Sequence, residues 1–169
     1  MGAERHPERL SELLDVLDVD PNWSMHAISD GQRRRVQIVL GLLEPWEVLL
    51  LDEVTVDLDV LVRQDLLRFL EKETMERGAT IVYATHIFDG ISDWATHVAH
   101  LSQKKLDLKV VNSDFWEGVS STSSDSKLLK IVESWLRKDK EIEKSLPNQT
   151  VRTRWEVLSE NMAKVSSFY

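Results

Sequence analysis

The sequence predicts an α/β fold built on a parallel sheet, and three observations carry that expectation. Val48-Leu49-Leu50-Leu51 is a short, unbroken apolar run. Thr80-Ile81-Val82-Tyr83-Ala84 is a second, rich in β-branched residues. Between them lies a stretch of helix length, about Leu58 to Arg77, with Gly78 as its stop signal. Strand, helix and strand at this spacing make a βαβ unit, which implies parallel pairing. Continuous apolar strands of this kind are expected to be buried on both faces.

The remaining elements follow from periodicity and punctuation. Leu10, Leu13, Leu14 and Leu17 fall at helical spacing within Glu8 to Leu17, and Asp20-Pro21-Asn22 closes that helix as a turn. Ser29 reads as the N-cap of a second helix whose apolar stripe is Val36, Val39, Leu40 and Leu43, stopped by Pro45. Ala95 to Leu101 is a candidate third strand. After Leu108 the character changes. Ser120-Ser121-Thr122-Ser123-Ser124 reads as a low-complexity linker, Lys127 to Lys144 as an amphipathic helix, and Trp155 to Val165 as a weaker one. The chain thus divides into 1–45, a helical part, 46–110, an α/β part, 111–125, a linker, and 126–169, a helical tail.

Composition excludes more than it assigns. The 169 residues are 42% apolar, enough for one ordinary domain with a real core. A net charge of −8 disfavours direct binding to nucleic acid, which needs a basic face. With no cysteine there is no disulfide, zinc–thiolate site or thiol nucleophile. No apolar run approaches the ~18–20 residues of a membrane span, and Met1 to Leu10 lack a secretory apolar region. The expectation is a cytoplasmic protein, with the nucleus as a second location.

Chemistry is concentrated where the two strands end. Ligands of open parallel sheets bind at the carboxyl ends of the strands. One strand here ends in Asp52-Glu53 and the other in Thr85-His86. A carboxylate at a strand end can hold Mg²⁺ through water, and a second can orient a water. An imidazole beside them can hydrogen-bond a transferring phosphoryl group. Ile28-Ser29-Asp30-Gly31-Gln32-Arg33-Arg34-Arg35 is the third stretch of interest. A serine-capped helix start followed by glycine offers backbone N–H groups to a phosphate, and a local anion is the easier explanation of three arginines in the first turn.

In order and spacing these stretches resemble the ABC-type ATPases. Ile28-Ser29-Asp30-Gly31-Gln32 is similar to the family's signature motif, and Val48 to Glu53 to its Walker B strand with the catalytic glutamate. Val56-Asp57-Leu58-Asp59 resembles the D-loop, and Tyr83-Ala84-Thr85-His86 the switch-histidine loop. The wider strings Leu51 to Asp59, Thr85 to Gly90 and Glu133 to Asp139 resemble a soluble branch without membrane domains. That branch includes a yeast ATPase associated with a deadenylase complex and the plant ABC transporter I family.

The resemblance implies the C-terminal portion of a RecA-like P-loop core, with part of the helical subdomain in front and a helical tail behind. It implies ATP and Mg²⁺ as cofactors and ATP hydrolysis as the activity. Asp52 would bind Mg²⁺ through water, Glu53 would act on the attacking water, and His86 would contact the γ-phosphate. Ser29, Asp30, Gly31 and Gln32 form the signature that closes over ATP held by a partner subunit, and Asp59 would couple two sites. A homo- or hetero-dimer with another ABC subunit is implied, and an mRNA-decay or transcription-regulatory complex with it.

Two departures qualify that picture. Asp30 stands where transporters carry glycine, a carboxylate that would repel phosphate unless paired with Arg33 or Arg34. None of the six glycines begins or completes Gly-x-x-x-x-Gly-Lys-Ser/Thr, so these 169 residues contain no phosphate loop. The expectation is a truncated member, inactive by itself; the alternative is a non-enzymatic subunit that lends only its signature helix to a full-length partner, and a third reading is a fragment that does not fold stably. Elsewhere the ordinary readings stand. His97 and His100 have no carboxylate at ligand spacing, Trp46 and Trp94 read as packing residues, and Trp135 as the anchor of a tail helix docked on its own domain.

Overall fold

The computed structural model describes residues 4–117 and 127–145. In chain order these form α1 (Pro7–Val16), α2 (Asp30–Leu42), β1 (Val48–Asp52), α3 (Val60–Arg77), β2 (Thr80–Ala84), β3 (His97–Ser102), β4 (Lys105–Val110) and α4 (Lys127–Ser145). The serine-rich linker and the weaker helix expected at Trp155 to Val165 lie outside the described residues.

The helices start and stop where local chemistry directs. α1 opens on Pro7, whose missing N–H costs nothing in a first turn. α2 opens on a capping box in which Ser29 Oγ accepts from the Gln32 N–H at 3.2 Å and Gln32 Oε1 accepts from the Ser29 N–H at 2.9 Å. Asp59 caps α3 by accepting from the N–H groups of Leu61 and Val62. Gly78, at φ 65°, ends that helix in the left-handed conformation that glycine tolerates best.

β1 and β2 pair in parallel, with Val48 opposite Thr80 and Asp52 opposite Ala84, as the βαβ reading requires. Leu49, Leu51, Ile81 and Tyr83 face the helices and pack on a core made of Leu13 from α1 and Leu17 just after it, Ile38, Val39 and Leu42 from α2, and Val62, Leu66, Leu67, Phe69 and Leu70 from α3. Burying each of Leu13, Leu17, Leu66 and Leu70 contributes about 1.5–3 kcal/mol. Arg9 ties the helices together. Its Nε donates to the Leu42 carbonyl at 2.8 Å, and its two terminal nitrogens grip both oxygens of Glu73 at 2.8 and 2.9 Å.

Three expectations are corrected. The strands are not buried on both faces: Val48, Leu50 and Val82 are 62%, 74% and 56% exposed, because no layer of the described chain covers the face opposite the helices. The α2 stripe is shifted, with Ile38, Val39, Leu42 and Leu43 buried and Leu40 exposed, since α1 and α3 both pack on that side. Third, the candidate strand at Ala95 to Leu101 forms as His97–Ser102, and it pairs antiparallel with a strand the sequence reading missed, β4.

α4 docks on that hairpin. Asp139 accepts from Ser102 Oγ at 2.6 Å and lies 2.9 Å from His100 Nε2. Trp135 stacks on the His100 ring at 5.1 Å and meets Phe115 edge-on. Trp135 therefore anchors the tail helix on its own chain, as expected, and Trp46 and Trp94 pack against the core.

Candidate functional site

Parallel pairing brings the two strand ends to one rim. Asp52 is the last residue of β1 and Ala84, its register partner, the last of β2. The next residue, Glu53, donates its N–H to the Ala84 carbonyl at 2.9 Å, so the turn after β1 is stitched to the end of β2. His86 follows two residues later. Its Nδ1 lies 2.8 Å from Glu53 Oε2, an ion-pair distance when the imidazole is protonated, though without the alignment of a hydrogen bond. Asp52, Glu53 and His86 thus meet at one edge, and Asp52 and His86 are open to solvent.

Glu53 occupies φ 48°, a left-handed conformation that costs an ordinary L-residue about 1–2 kcal/mol. Such outliers persist where the surroundings over-determine them, and they concentrate at functional sites. Here the bond to the Ala84 carbonyl holds the residue, which aims the carboxylate at His86 instead of along the pleat.

Behind the rim sit groups that the sequence reading did not single out. Thr55, fully buried, shares a 2.6 Å hydrogen bond with the Tyr83 hydroxyl. Burial pushes the Tyr83 phenol above its ordinary pKa, with the hydrogen bonds of Thr55 and Thr85 opposing it, so the hydroxyl is a neutral strut between β2 and the turn. Arg63 on α3 lies 3.6 Å from Asp89, and its shielded Nε has no hydrogen bond. Neither Thr55 nor Arg63 has a sequence signature, for each matters only through a neighbour about 26 to 28 residues away.

The stretch Ile28 to Arg35 forms a second cluster against Val56 to Asp59. Gly31 sits so that a Cβ would lie 3.7 Å from the Asp57 carbonyl, an ordinary contact, so packing within this chain does not demand glycine there. The arginines find carboxylates of their own chain. Arg33 donates to Asp30 Oδ1 at 2.7 Å, resolving the repulsion expected of Asp30. Arg35 donates to Asp18 at 2.8 Å and to Asp59 Oδ2 at 2.6 Å. Arg34 lines a cavity of about 240 Å³ between α2, β1 and α3. A bound anion is therefore not needed to explain Arg33 and Arg35.

Asp59 joins α2 to the start of α3. One oxygen caps α3 and the other holds Arg35 of α2. The Val62 N–H draws its carboxyl below the ordinary value of 3.8, with Arg35 and the Leu61 N–H assisting against partial desolvation. It stays ionised at neutral pH. Among the described residues no three His, Cys, Asp or Glu side chains form a metal cage. That excludes no Mg²⁺ site of the kind built from one carboxylate, water and phosphate oxygens. No described helix is long and apolar enough to cross a membrane.

Residues 5–93 match the family model described as "AAA domain, putative AbiEii toxin, Type IV TA system". ABC transporter I family member 20 of Arabidopsis thaliana is 58% identical over 138 residues, which are 82% of this chain and 40% of that protein. Member 21 of the same plant is 48% identical over 93% of this chain and 54% of its own length. CCR4-associated factor 16 of Saccharomyces cerevisiae is 51% identical over 70% of this chain and 40% of its length. The chain therefore spans about half the length of these relatives. Among solved structures, the dimeric bacterial ABC transporter cassette MJ0796 aligns with a TM-score of 0.55 at 23% identity over 67% of this chain and half of that one. Its post-hydrolysis state bound to ADP and Pi aligns at 0.56. At that identity the likeness shows a shared fold: the α/β elements here follow part of the fold of that cassette.

Proposed function

The chain belongs to the AAA-domain, ABC-type family of P-loop ATPases, and from that premise we propose that it supplies the water-activating and signature halves of an ATP-hydrolysing site. The observation that carries this reading is the rim itself, where Asp52 and Glu53 at the end of β1 meet His86 beyond β2. Asp52 would hold Mg²⁺ through water, Glu53 would orient the water that attacks phosphorus, and His86 would contact the γ-phosphate. Bound Mg²⁺ would neutralise charge developing on the phosphate oxygens. These groups suit the terminal phosphate. Nothing in the 169 residues has the pattern that cradles the rest of the triphosphate.

The activity we assign is consequently conditional. The chain by itself does not turn ATP over, and hydrolysis requires a phosphate loop carried elsewhere. Steady-state phosphate release from the purified chain tests this. The expected rate equals that of the buffer. Robust turnover abolished by Glu53→Gln would instead show that the chain holds ATP without the loop.

A second reading is favoured by the signature cluster. Gly31 is not required by packing, and Ser29 and Asp30 are exposed at the start of α2. That suits a helix end presented to ATP on another subunit, with the chain as a regulatory member of a homo- or hetero-dimer. Ser29 and Gln32 side chains serve the capping box, so the backbone N–H groups would make the phosphate contacts. Mixing the chain with the Arabidopsis relative distinguishes the readings: a changed ATPase rate that Gly31→Asp cancels supports it, and an unchanged rate and mass disposes of it. The divisions 1–45, 46–110, 111–125 and 126–169 serve this proposal as signature part, catalytic-rim part, linker and tail, of which α4 docks on the hairpin. A place in a CCR4-associated assembly has the yeast relative's name as its support, and the location we propose with it is the cytoplasm or nucleus.

A further inference from the structure

The contact between His86 and Glu53 does not explain its own geometry. The imidazole is 68% exposed, and although Glu53 Oε2 is shielded, the Glu53 side chain as a whole is 42% exposed. A pair this open to water shifts a population by about fivefold at most. His86 also stands past the end of β2, in the stretch Thr85 to Gly90, which belongs to none of the described strands. Something else must place the ring.

Both ends of that stretch are anchored. Just before it, the Ala84 carbonyl accepts the Glu53 N–H. At its far end Gly90 takes φ 77° and lies so close to α3 that an added Cβ would stand 3.2 Å from Leu67 Cδ1. The Trp94 indole N–H donates to the Gly90 carbonyl at 3.1 Å. Between the anchors, Thr85 Oγ1 accepts the Ile87 N–H at 3.0 Å, a local bond that shapes the turn without tying it to its surroundings. An ionic tie does reach outside: Asp89 Oδ2 lies 3.6 Å from the Arg63 guanidinium on α3.

Arg63 is a different kind of partner from His86. Its side chain is only 15% exposed, and its Nε is shielded without a hydrogen bond. A cation that has given up most of its water depends on its counter-charge more than a surface arginine does. Burial is the main cause that raises the Tyr83 pKa; Glu53 raises it and Arg63 lowers it as smaller causes, which puts the guanidinium close behind the rim. Arg63 and Leu67 are four residues apart on one face of α3, so the ionic tie and the Gly90 contact hold the turn to the same helix.

We infer that Arg63 is a positioning residue: through Asp89 it holds the turn from Thr85 to Gly90 against α3 and so sets His86 opposite Glu53. The inference rests on the rim reading for its purpose, because a placed imidazole matters only where it meets a phosphoryl group. Its test reads geometry and needs no nucleotide, so the two can fail separately.

NMR on the full chain at neutral pH provides the test. In wild type a nuclear Overhauser effect should join the His86 ring to the Glu53 side chain, and the Ile87 amide should be slowed by its bond to Thr85. Arg63→Gln and Asp89→Asn should each weaken that effect by about half or more and speed Ile87 exchange about fivefold or more, with the β1–β2 ladder amides unchanged. The double variant should do no more than either single one, since both cut the same tie. Arg63→Lys keeps a cation and should preserve the His86 contact. Circular dichroism checks folding. Asp89 is 68% exposed, so Asp89→Asn decides if Arg63→Gln does not fold. An unchanged His86 contact in Asp89→Asn overturns the inference, as do additive effects in the double variant. A loss in Arg63→Lys as large as in Arg63→Gln, or faster exchange along the whole ladder, would likewise overturn it. A wild type without the His86–Glu53 effect would sink the rim geometry and this inference together.

Discussion

Replacing Glu73 by glutamine tests how the helical layer is held. Glu73 is 6% exposed, and Arg9 approaches it with a side chain only 12% exposed. The pair is bidentate, Arg77 adds a third contact, and Arg9 also lies over the Phe69 ring at 5.1 Å. Glutamine keeps the shape but leaves the Arg9 guanidinium shielded from water without its counter-charge. Breaking a buried pair from one side typically costs about 3–5 kcal/mol, against about 0–1 for an exposed pair. Domain stabilities are about 5–15 kcal/mol, so this one change should remove about a fifth or more. Urea denaturation followed by far-ultraviolet circular dichroism measures it. A loss below about 1 kcal/mol would mean that water reaches Arg9 and that the clamp is no stronger than a surface pair.

The pH dependence gives a second arm to the same experiment. Burial raises the Glu73 pKa, yet the hydrogen bonds and charges of Arg9 and Arg77 outweigh it and hold the carboxyl below its ordinary 4.5. A depressed folded-state pKa contributes stability that is present above the unfolded value and lost as pH falls through the folded one. Wild type and Glu73→Gln should therefore differ most near neutrality and converge as pH falls below about 4.5. A constant difference down to pH 3 would assign the loss to packing, not charge.

Three further outcomes follow from the same contacts. Ser29→Ala removes the capping box of α2 and should cost about 0.5–2 kcal/mol in the same denaturation assay. Glu53→Gly relieves the left-handed backbone at φ 48° and should raise stability by about 1 kcal/mol, although it removes the proposed water-orienting group. Asp139→Ala strips His100 and Ser102 of their shared acceptor. It should cost about 1–3 kcal/mol and expose α4 to limited proteolysis before the α1–α3 core is cut.

How much of this was legible depends on where the determining contacts lie. The capping box, the strand ends and the Gly78 stop are encoded within a few residues, so reading outward from Ser29, Asp52 and His86 locates them. Asp139 is 39 residues from His100, and no spacing rule reaches that far. β4 was hidden for a subtler reason. Leu106, Leu108 and Val110 alternate with Lys105, Asp107 and Lys109, a fair strand pattern. But the turn before it is Gln103-Lys104, at φ 49° and 61°, positions where Asn-Gly is the usual signal. Two side chains accept left-handed backbone because the hairpin ladder holds them there.

The failed expectation of two-sided burial is the more informative miss, and it separates two faces of one strand. Leu49 and Leu50 are the same residue type one position apart, yet Leu49 packs on the helical core and Leu50 is 74% exposed. If residue type followed only the surroundings this chain provides, the exposed face would alternate with polar residues, as strands with one wet face do. It does not, since Val48, Leu50 and Val82 all lie on it. Their apolar character is suited to a covering layer from outside the described residues. Serine at the two positions reads this out. In the isolated chain Leu50→Ser should change stability by less than about 0.5 kcal/mol, the range of surface substitutions, whereas Leu49→Ser should cost about 2 kcal/mol or more. Equal, large losses at both would mean that the free chain already covers that face.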